Sequence, residues 1–83
     1  MTQIAKLFAR VLNDGYRPKF AEFEKLVAAA GFMKQSQKGS HRSYRHPVVP
    51  RILTIQPNGN MAQDYQIKEF AAIVQQYNLW NGK

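Results

Sequence analysis

The chain has 83 residues, enough for one domain with one modest core and too few for a second lobe or a deep cofactor cleft. It has no cysteine, which excludes disulfides, thiolate metal sites and cysteine nucleophiles and gives no sign of an oxidising compartment, so a cytoplasmic setting is the expectation. Twelve Lys and Arg stand against five Asp and Glu, a formal net charge of +7, and no acidic residue lies between Glu24 and Asp64, an interval that holds six of the cations and both histidines. A field of that kind suits a polyanion through counterion release from phosphates, and it also suits an acidic protein. The bland alternative is a generic solvated basic surface. Anionic membranes fit less well, because these cations do not sit on the polar face of a long helix, and no apolar run approaches the length of a membrane span.

In chain order, Ile4, Leu7, Phe8, Val11 and Leu12 recur at three- and four-residue spacing and predict a short amphipathic helix over residues 2–12, with Thr2 as N-cap. Asn13-Asp14-Gly15 stops it. After Pro18 the same period returns in Phe20, Phe23, Leu26, Val27 and Ala30. Gly31 falls where a left-handed helix cap belongs, with Phe32 placed to fold back on the last turn. From residue 32 to 56 the helical period disappears, and breaks at Gly39 and over residues 47–50 leave three runs of strand length, read as three antiparallel strands. Within the middle run, residues 41–46, neighbours alternate between faces: with Tyr44 turned to the core, His41, Ser43 and Arg45 face the other way. The third run, residues 51–56, turns Leu53 and Ile55 inward. Asn58-Gly59-Asn60 closes the sheet region, and Ile67, Phe70, Ala71, Val74 and Tyr77 mark a last helix with Asp64 near its positive end. The expected fold is therefore α+β, a three-stranded antiparallel sheet with helices on one face and the other face open to solvent.

The chemistry-bearing stretch is Lys38-Gly39-Ser40-His41, which runs into Arg42-Ser43-Tyr44-Arg45-His46-Pro47. Histidine is the side chain whose ordinary pKa, about 6.5, suits proton transfer near neutrality. Fixed cations beside it suit a phosphodiester. An open, shallow, cationic face fits a long external anion better than a small molecule, which calls for a concave and largely apolar pocket. A metal site has no support: the two histidines are five apart and no carboxylate is near them in sequence. No cofactor is expected, since Gly39 is isolated and forms no nucleotide-binding glycine loop. His46, ahead of Pro47 and on the Tyr44 side of its strand, reads as structural. Tyr44, Phe23 and Phe70 read as core, and Trp80 is left to cap the core or to serve a partner.

Gly31-Phe32, Gly39-Ser40-His41, Tyr44-Arg45-His46-Pro47 and Tyr65-Gln66, in that order, make residues 20–77 resemble the HicA family of small bacterial toxins, over about seven tenths of the chain. The resemblance implies a fold similar to the double-stranded-RNA-binding domain. It further implies metal-independent endoribonuclease action on mRNA with the motif histidine, here His41, as the catalytic group, and a HicB-like antitoxin covering the basic active face. On that basis the chain divides into an N-terminal helical extension, residues 1–15, and a HicA-like unit, residues 16–83, within one compact domain. Lys38 and Arg45 are the expected phosphate clamps, Lys34 and Arg42 the expected backbone contacts, and Gly39 and Ser40 the residues that let the chain approach the phosphate and donate to it. For Gly39 the simpler role of making the hairpin turn is equally open. Two features depart from the family pattern. The helix over residues 2–12 has no counterpart in it, leaving core packing, self-association and partner contact open, and Val48-Val49-Pro50 is an unusually apolar hairpin tip. The rival readings are a non-catalytic basic module that holds RNA or DNA by shape and backbone contact, and an inactive toxin homologue that only binds a partner.

Overall fold

A computed structural model of the protein describes residues 3–80. It runs α1 (Gln3–Asn13), α2 (Phe20–Ala29), β1 (Met33–Lys38), β2 (His41–His46), β3 (Val49–Ile55), α3 (Asp64–Gln76). The strands form one antiparallel sheet in the order β1-β2-β3. This is the α+β arrangement the periodicity predicts, with the N-terminal helix present. The proposed Thr2 cap lies outside the described residues.

Each helix ends as its local sequence requires. Beyond α1, Gly15 adopts a φ of +69°, and the Tyr16 amide returns to the Arg10 carbonyl at 3.1 Å. At the end of α2, Gly31 takes a φ of +101°, its amide bonds the Ala28 carbonyl at 3.0 Å, and the Phe32 amide bonds the Val27 carbonyl at 3.3 Å. Those two bonds make a Schellman cap, which satisfies helix-end carbonyls and swings Phe32 into the core. Asn78, φ +53°, repeats the device after α3, with the Leu79 amide on the Val74 carbonyl at 3.0 Å.

One core joins every element except β1. Phe23, Leu26, Val27, Leu53, Ile55 and Phe70 are completely or almost completely buried in it, with Tyr44 and Phe32 beside them. Phe23 meets Phe70 edge-on at 5.5 Å between centroids, a favoured aromatic geometry. Among the alternatives left open for the first helix, core packing is observed: α1 lies on α2 and α3, and it buries Ala5, Phe8 and Val11. Trp80 stacks on Phe8 at 4.1 Å with planes 9° apart, so the aromatic left unassigned by sequence ties the C-terminal segment to α1.

The sheet has register shifts between Lys34 and Ser36 and between Tyr44 and His46, and its third strand starts earlier than expected. β3 begins at Val49 rather than residue 51, because Val49 is buried and pairs with His46, leaving only Pro47 and Val48 in the turn. The apolar tip is thus half core residue, half exposed. Pro50 lies in an edge strand, where a missing N–H is tolerated. In β1 the register shifts between Lys34 and Ser36, so Gln35 is the extra residue of a bulge. Every β1 side chain is exposed, and the strand exists by pairing with β2 rather than by burial of its own.

The start of α2 depends on one carboxylate. Glu22 accepts the Lys19 amide at 2.9 Å and the Tyr16 hydroxyl at 2.9 Å. This is half of a capping box; the other half is absent because a lysine side chain has no acceptor. The amide of Lys19, aided by the Tyr16 hydroxyl and against a desolvation that works the other way, holds the Glu22 carboxyl below the usual carboxylate range. A depressed carboxyl stabilises the fold above its unfolded pKa, about 4.3, and loses that contribution as pH falls through its folded value. Glu22→Gln should therefore lower unfolding free energy by about 0.5 kcal/mol at pH 7, the low end for a water-screened cap, with a deficit that shrinks as pH falls below the unfolded pKa toward pH 3. Urea unfolding at both pH values checks this; an equal deficit at each would contradict it.

Candidate functional site

Because Tyr44 is buried under the helices, the alternation of β2 assigns its remaining side chains. Tyr44 faces Leu53 and Lys34 across the sheet, Arg42 faces Ile55 and Gln37, and His46 faces Val49, all on the helix-covered side. Ser43 faces Ser36 and Thr54, Arg45 faces Met33, and His41 faces Lys38 on the open side. The expected set therefore divides. Lys38, His41 and Arg45 share the open face with Ser43; Gly39 and Ser40 form the hairpin tip; Lys34 and Arg42 belong to the opposite side.

The hairpin that presents His41 is a two-residue turn. Gly39 has a φ of +61°, while Ser40 is not in the positive-φ region. That combination matches a type II′ turn, which requires glycine at its first central position and whose twist suits the flanking strands. Nothing lies within 4 Å of the space a Gly39 side chain would fill, so the demand on this residue is conformational, not steric. The turn makes Lys38 and His41 direct cross-strand partners. Cβ atoms of such a pair sit about 5 Å apart on one face. Both side chains are exposed, and among the described residues neither makes a hydrogen bond or ion pair, leaving both free to meet a ligand.

Arg45 lies four residues further along β2, about 13 Å at strand rise. Its Nε donates to Gln35 Oε1 at 2.8 Å, so the bulged residue of β1 orients the guanidinium. Ser43 Oγ and Thr54 Oγ1 are 3.4 Å apart between the two ends. Gln35, Ser36 and Thr54 complete the face, and sequence reasoning missed them. Strand pairing would have found Thr54, whereas the bulge that turns Gln35 leaves no sequence signal. Beyond Arg45 the face becomes apolar, with Met33 68% and Ile52 44% exposed.

Arg42 and Lys34 are engaged elsewhere. The Arg42 guanidinium pairs through Nε with Glu24 Oε2 at 3.2 Å, lies 4.8 Å from the Phe20 ring centroid, and donates from Nη1 to the Ser40 carbonyl at 2.8 Å. Lys34 Nζ donates to Gln37 Oε1 at 3.0 Å along β1. Glu24 also accepts the Tyr44 hydroxyl at 3.3 Å; burial, with the Glu24 charge beside it, pushes the Tyr44 phenol up and keeps it a donor. The same alternation that puts His41 outside puts Arg42 with Tyr44, so this placement was readable in the sequence.

The second histidine is built into the fold. His46 Nδ1 accepts the Val48 amide at 3.2 Å, which leaves Nε2 to carry the hydrogen and donate to the Ala30 carbonyl at 3.0 Å. Its ring meets Phe32 edge-on at 5.1 Å. A Cβ on Gly31 would stand 2.7 Å from His46 Nε2, so the glycine that caps α2 also makes room for this ring. Among the described residues no three His, Cys, Asp or Glu gather as a metal-binding group, and no helix is long and apolar enough to cross a membrane. A groove lined by Val11, Tyr16, Ile67 and Ala71 lies between α1 and α3, and it contains none of the open-face residues.

These features define a class, a small α+β domain whose bare sheet face carries an unpaired histidine and lysine at a tight hairpin. Residues 20–76 match the family described as the HicA toxin of bacterial toxin-antitoxin systems, and the chain belongs to that family. The match covers more than half of the sequence and leaves α1 outside it. Membership implies an antitoxin partner. No curated protein and no solved structure matches the chain.

The two histidines should separate cleanly in stability. His46→Ala, which removes two hydrogen bonds and the packing on Phe32, should cost about 1–3 kcal/mol. The exposed His41→Ala should stay within about 0.5 kcal/mol of the parent. Thermal unfolding followed by circular dichroism checks both, and equal losses would place His41 in the fold's support.

Proposed function

We propose that this HicA-family chain is a metal-independent endoribonuclease that cleaves mRNA with His41 as its proton-transfer group, arrests translation and growth, and is neutralised by a HicB-like antitoxin seated on the basic open face. The observation that carries this reading is the pairing of an unengaged, exposed His41 with an unengaged Lys38 on the bare face of a HicA-family domain.

In the proposed reaction, RNA lies along the open face with the scissile phosphate beside Lys38. His41, neutral, takes the proton of the adjacent ribose 2′-hydroxyl; the 2′-oxygen bonds phosphorus, the bond to the 5′-oxygen breaks, and that oxygen takes a proton from solvent. The products are a 2′,3′-cyclic phosphate and a 5′-hydroxyl end. General base assistance supplies about 10²- to 10⁴-fold in rate. The Lys38 ammonium adds electrostatic stabilisation of the dianionic phosphorane, helped by the amides of the Gly39-Ser40 turn. Arg45, oriented by Gln35, holds a neighbouring phosphate and sets the direction of the strand. The absence of acidic side chains between Glu24 and Asp64 keeps this face free of repulsion toward RNA. The same charge invites an acidic antitoxin. The mechanism needs the 2′-hydroxyl and so excludes DNA.

Inducible expression tests the reading directly. The parent chain should arrest growth with loss of intact mRNA, co-expression of a HicB-like partner should restore growth, and His41→Ala should do neither harm while still binding RNA. Cleavage by purified parent protein should persist in EDTA and fail on RNA carrying a 2′-deoxy substitution at the cut site. Growth arrest by both chains with intact mRNA would overturn the proposal. For the phosphate contacts, Lys38→Ala and Arg45→Ala should each lower the slope of log K against log salt by about 0.7 on single-stranded RNA. An unchanged slope would remove that residue from the interface.

A further inference from the structure

We propose that Arg42 is a positioning residue, a strut that locks the Ser40–His41 peptide against α2 and so aims the His41 side chain; the proposal deepens, and rests on, the reading of His41 as the proton-transfer group.

The hairpin has little else to hold it. All six β1 side chains are exposed, and so are Gly39, Ser40 and His41. Beyond the Arg42–Ile55 pair the hairpin is two-stranded and buries no side chain, and a ribbon of that kind is marginal in water and opens locally at low cost. Arg42 is the first β2 residue turned toward the helices, and its guanidinium makes three contacts at once: Glu24 of α2, the face of Phe20 of α2, and the Ser40 carbonyl. That carbonyl belongs to the peptide unit ending at the His41 nitrogen. Because the unit is planar, fixing its oxygen fixes where the His41 Cα begins. The other end of the chain of contacts is buried, since Glu24 also accepts the hydroxyl of Tyr44. The sequence of bonds runs from core to turn: Tyr44 to Glu24, Glu24 to Arg42, Arg42 to the carbonyl beside His41.

A guanidinium suits this task because its planar fork reaches a carboxylate and a carbonyl in different directions while its face lies on an aromatic ring; an ammonium serves one such direction well. The same contacts argue against Arg42 as a phosphate clamp. Its side chain is 20% exposed, on the covered side of the sheet, with its charge already met by Glu24. A phosphate contact would release counterions on binding, and a positioning residue would not.

The test compares Arg42→Ala, Arg42→Lys and Glu24→Ala with the parent, reading amide hydrogen exchange residue by residue together with RNA cleavage and the salt dependence of RNA binding. If Arg42 is the strut, Arg42→Ala speeds exchange of the residue 38–41 amides about tenfold while residues 53–55 stay protected. It also lowers kcat at least tenfold with KM and the salt slope unchanged. Arg42→Lys recovers part of both losses, and Glu24→Ala loosens the same amides. Unchanged exchange at residues 38–41 in all three variants overturns the proposal. So does a salt slope lowered by about 0.7 in Arg42→Ala with the hairpin still protected, which would make Arg42 a phosphate contact. If the parent cleaves no RNA, the nuclease reading fails on its own, and the exchange comparison still decides whether Arg42 holds the turn. Should Arg42→Ala unfold, Arg42→Lys and Glu24→Ala carry the same comparison.

Discussion

Burial of the Tyr44 ring decides the direction of every other side chain in β2. A strand has a period of two, and a one-residue slip would exchange its faces. With Tyr44, Leu53 and Ile55 under the helices, such a slip of β2 would turn Arg42 and Tyr44 out to solvent and drive Ser43 and Arg45 into an apolar core. The cost of burying an unpaired guanidinium forbids that exchange. The proposed site is therefore not an addition to the fold. His41 and Arg45 are exposed because Tyr44 is not.

The covered side carries its own polar burden, and the protein meets it with hydrogen bonds at the ends of elements. Gln66, 97% buried as a residue of α3, accepts the Gln56 amide on its Oε1 at 3.1 Å, and Gln63 donates to the Gln56 carbonyl at 3.3 Å. The chain leaving β3 is thus clamped on both backbone groups as it turns toward α3. This gives the Tyr65-Gln66 pair a structural reason: the tyrosine is exposed and its hydroxyl accepts from Gln66 Nε2, while the glutamine does the buried work. His46 serves the same purpose at the other end of the sheet, joining the β2–β3 turn to the end of α2.

Legibility in the sequence followed the strength of the local signal. The helices were readable because Phe8 and Val11, Phe23 with Leu26 and Val27, and Phe70 with Val74 carry the period of an amphipathic helix, and Gly31 carries its stop. β2 was readable through one aromatic among polar residues. β1 was legible only as a gap of strand length, since Met33–Lys38 has no buried face and its bulge at Gln35 follows from pairing that no local pattern encodes. The start of β3 was misread because residues 47–50 look like one long turn, whereas Val49 answers a vacancy in the core. In the candidate site, Lys38 and His41 were adjacent enough for their pairing to follow from Gly39. Arg42 was grouped with them by charge, although period-two geometry separates them, and its partner Glu24 lies too far back in the chain for spacing to reveal.

The distribution of carboxylates completes the physical picture. Glu24, Asp64 and Glu69 pair with Arg42, Arg17 and Arg51, and all three carboxylates sit on helices. None belongs to the sheet, because residues 25–63 contain no acid. Cations near the helices are therefore partly neutralised within the molecule, while Lys38 and Arg45 on the bare face have no carboxylate among the described residues. Two surfaces of similar composition consequently differ in field. Three arginines are tied to helix carboxylates, whereas the charge of Lys38 and Arg45 extends into solvent, within a Debye length of about 8 Å at physiological salt. That difference follows from the absence of Asp and Glu across residues 25–63, and it would survive any rearrangement of the surface cations that left that stretch free of acid.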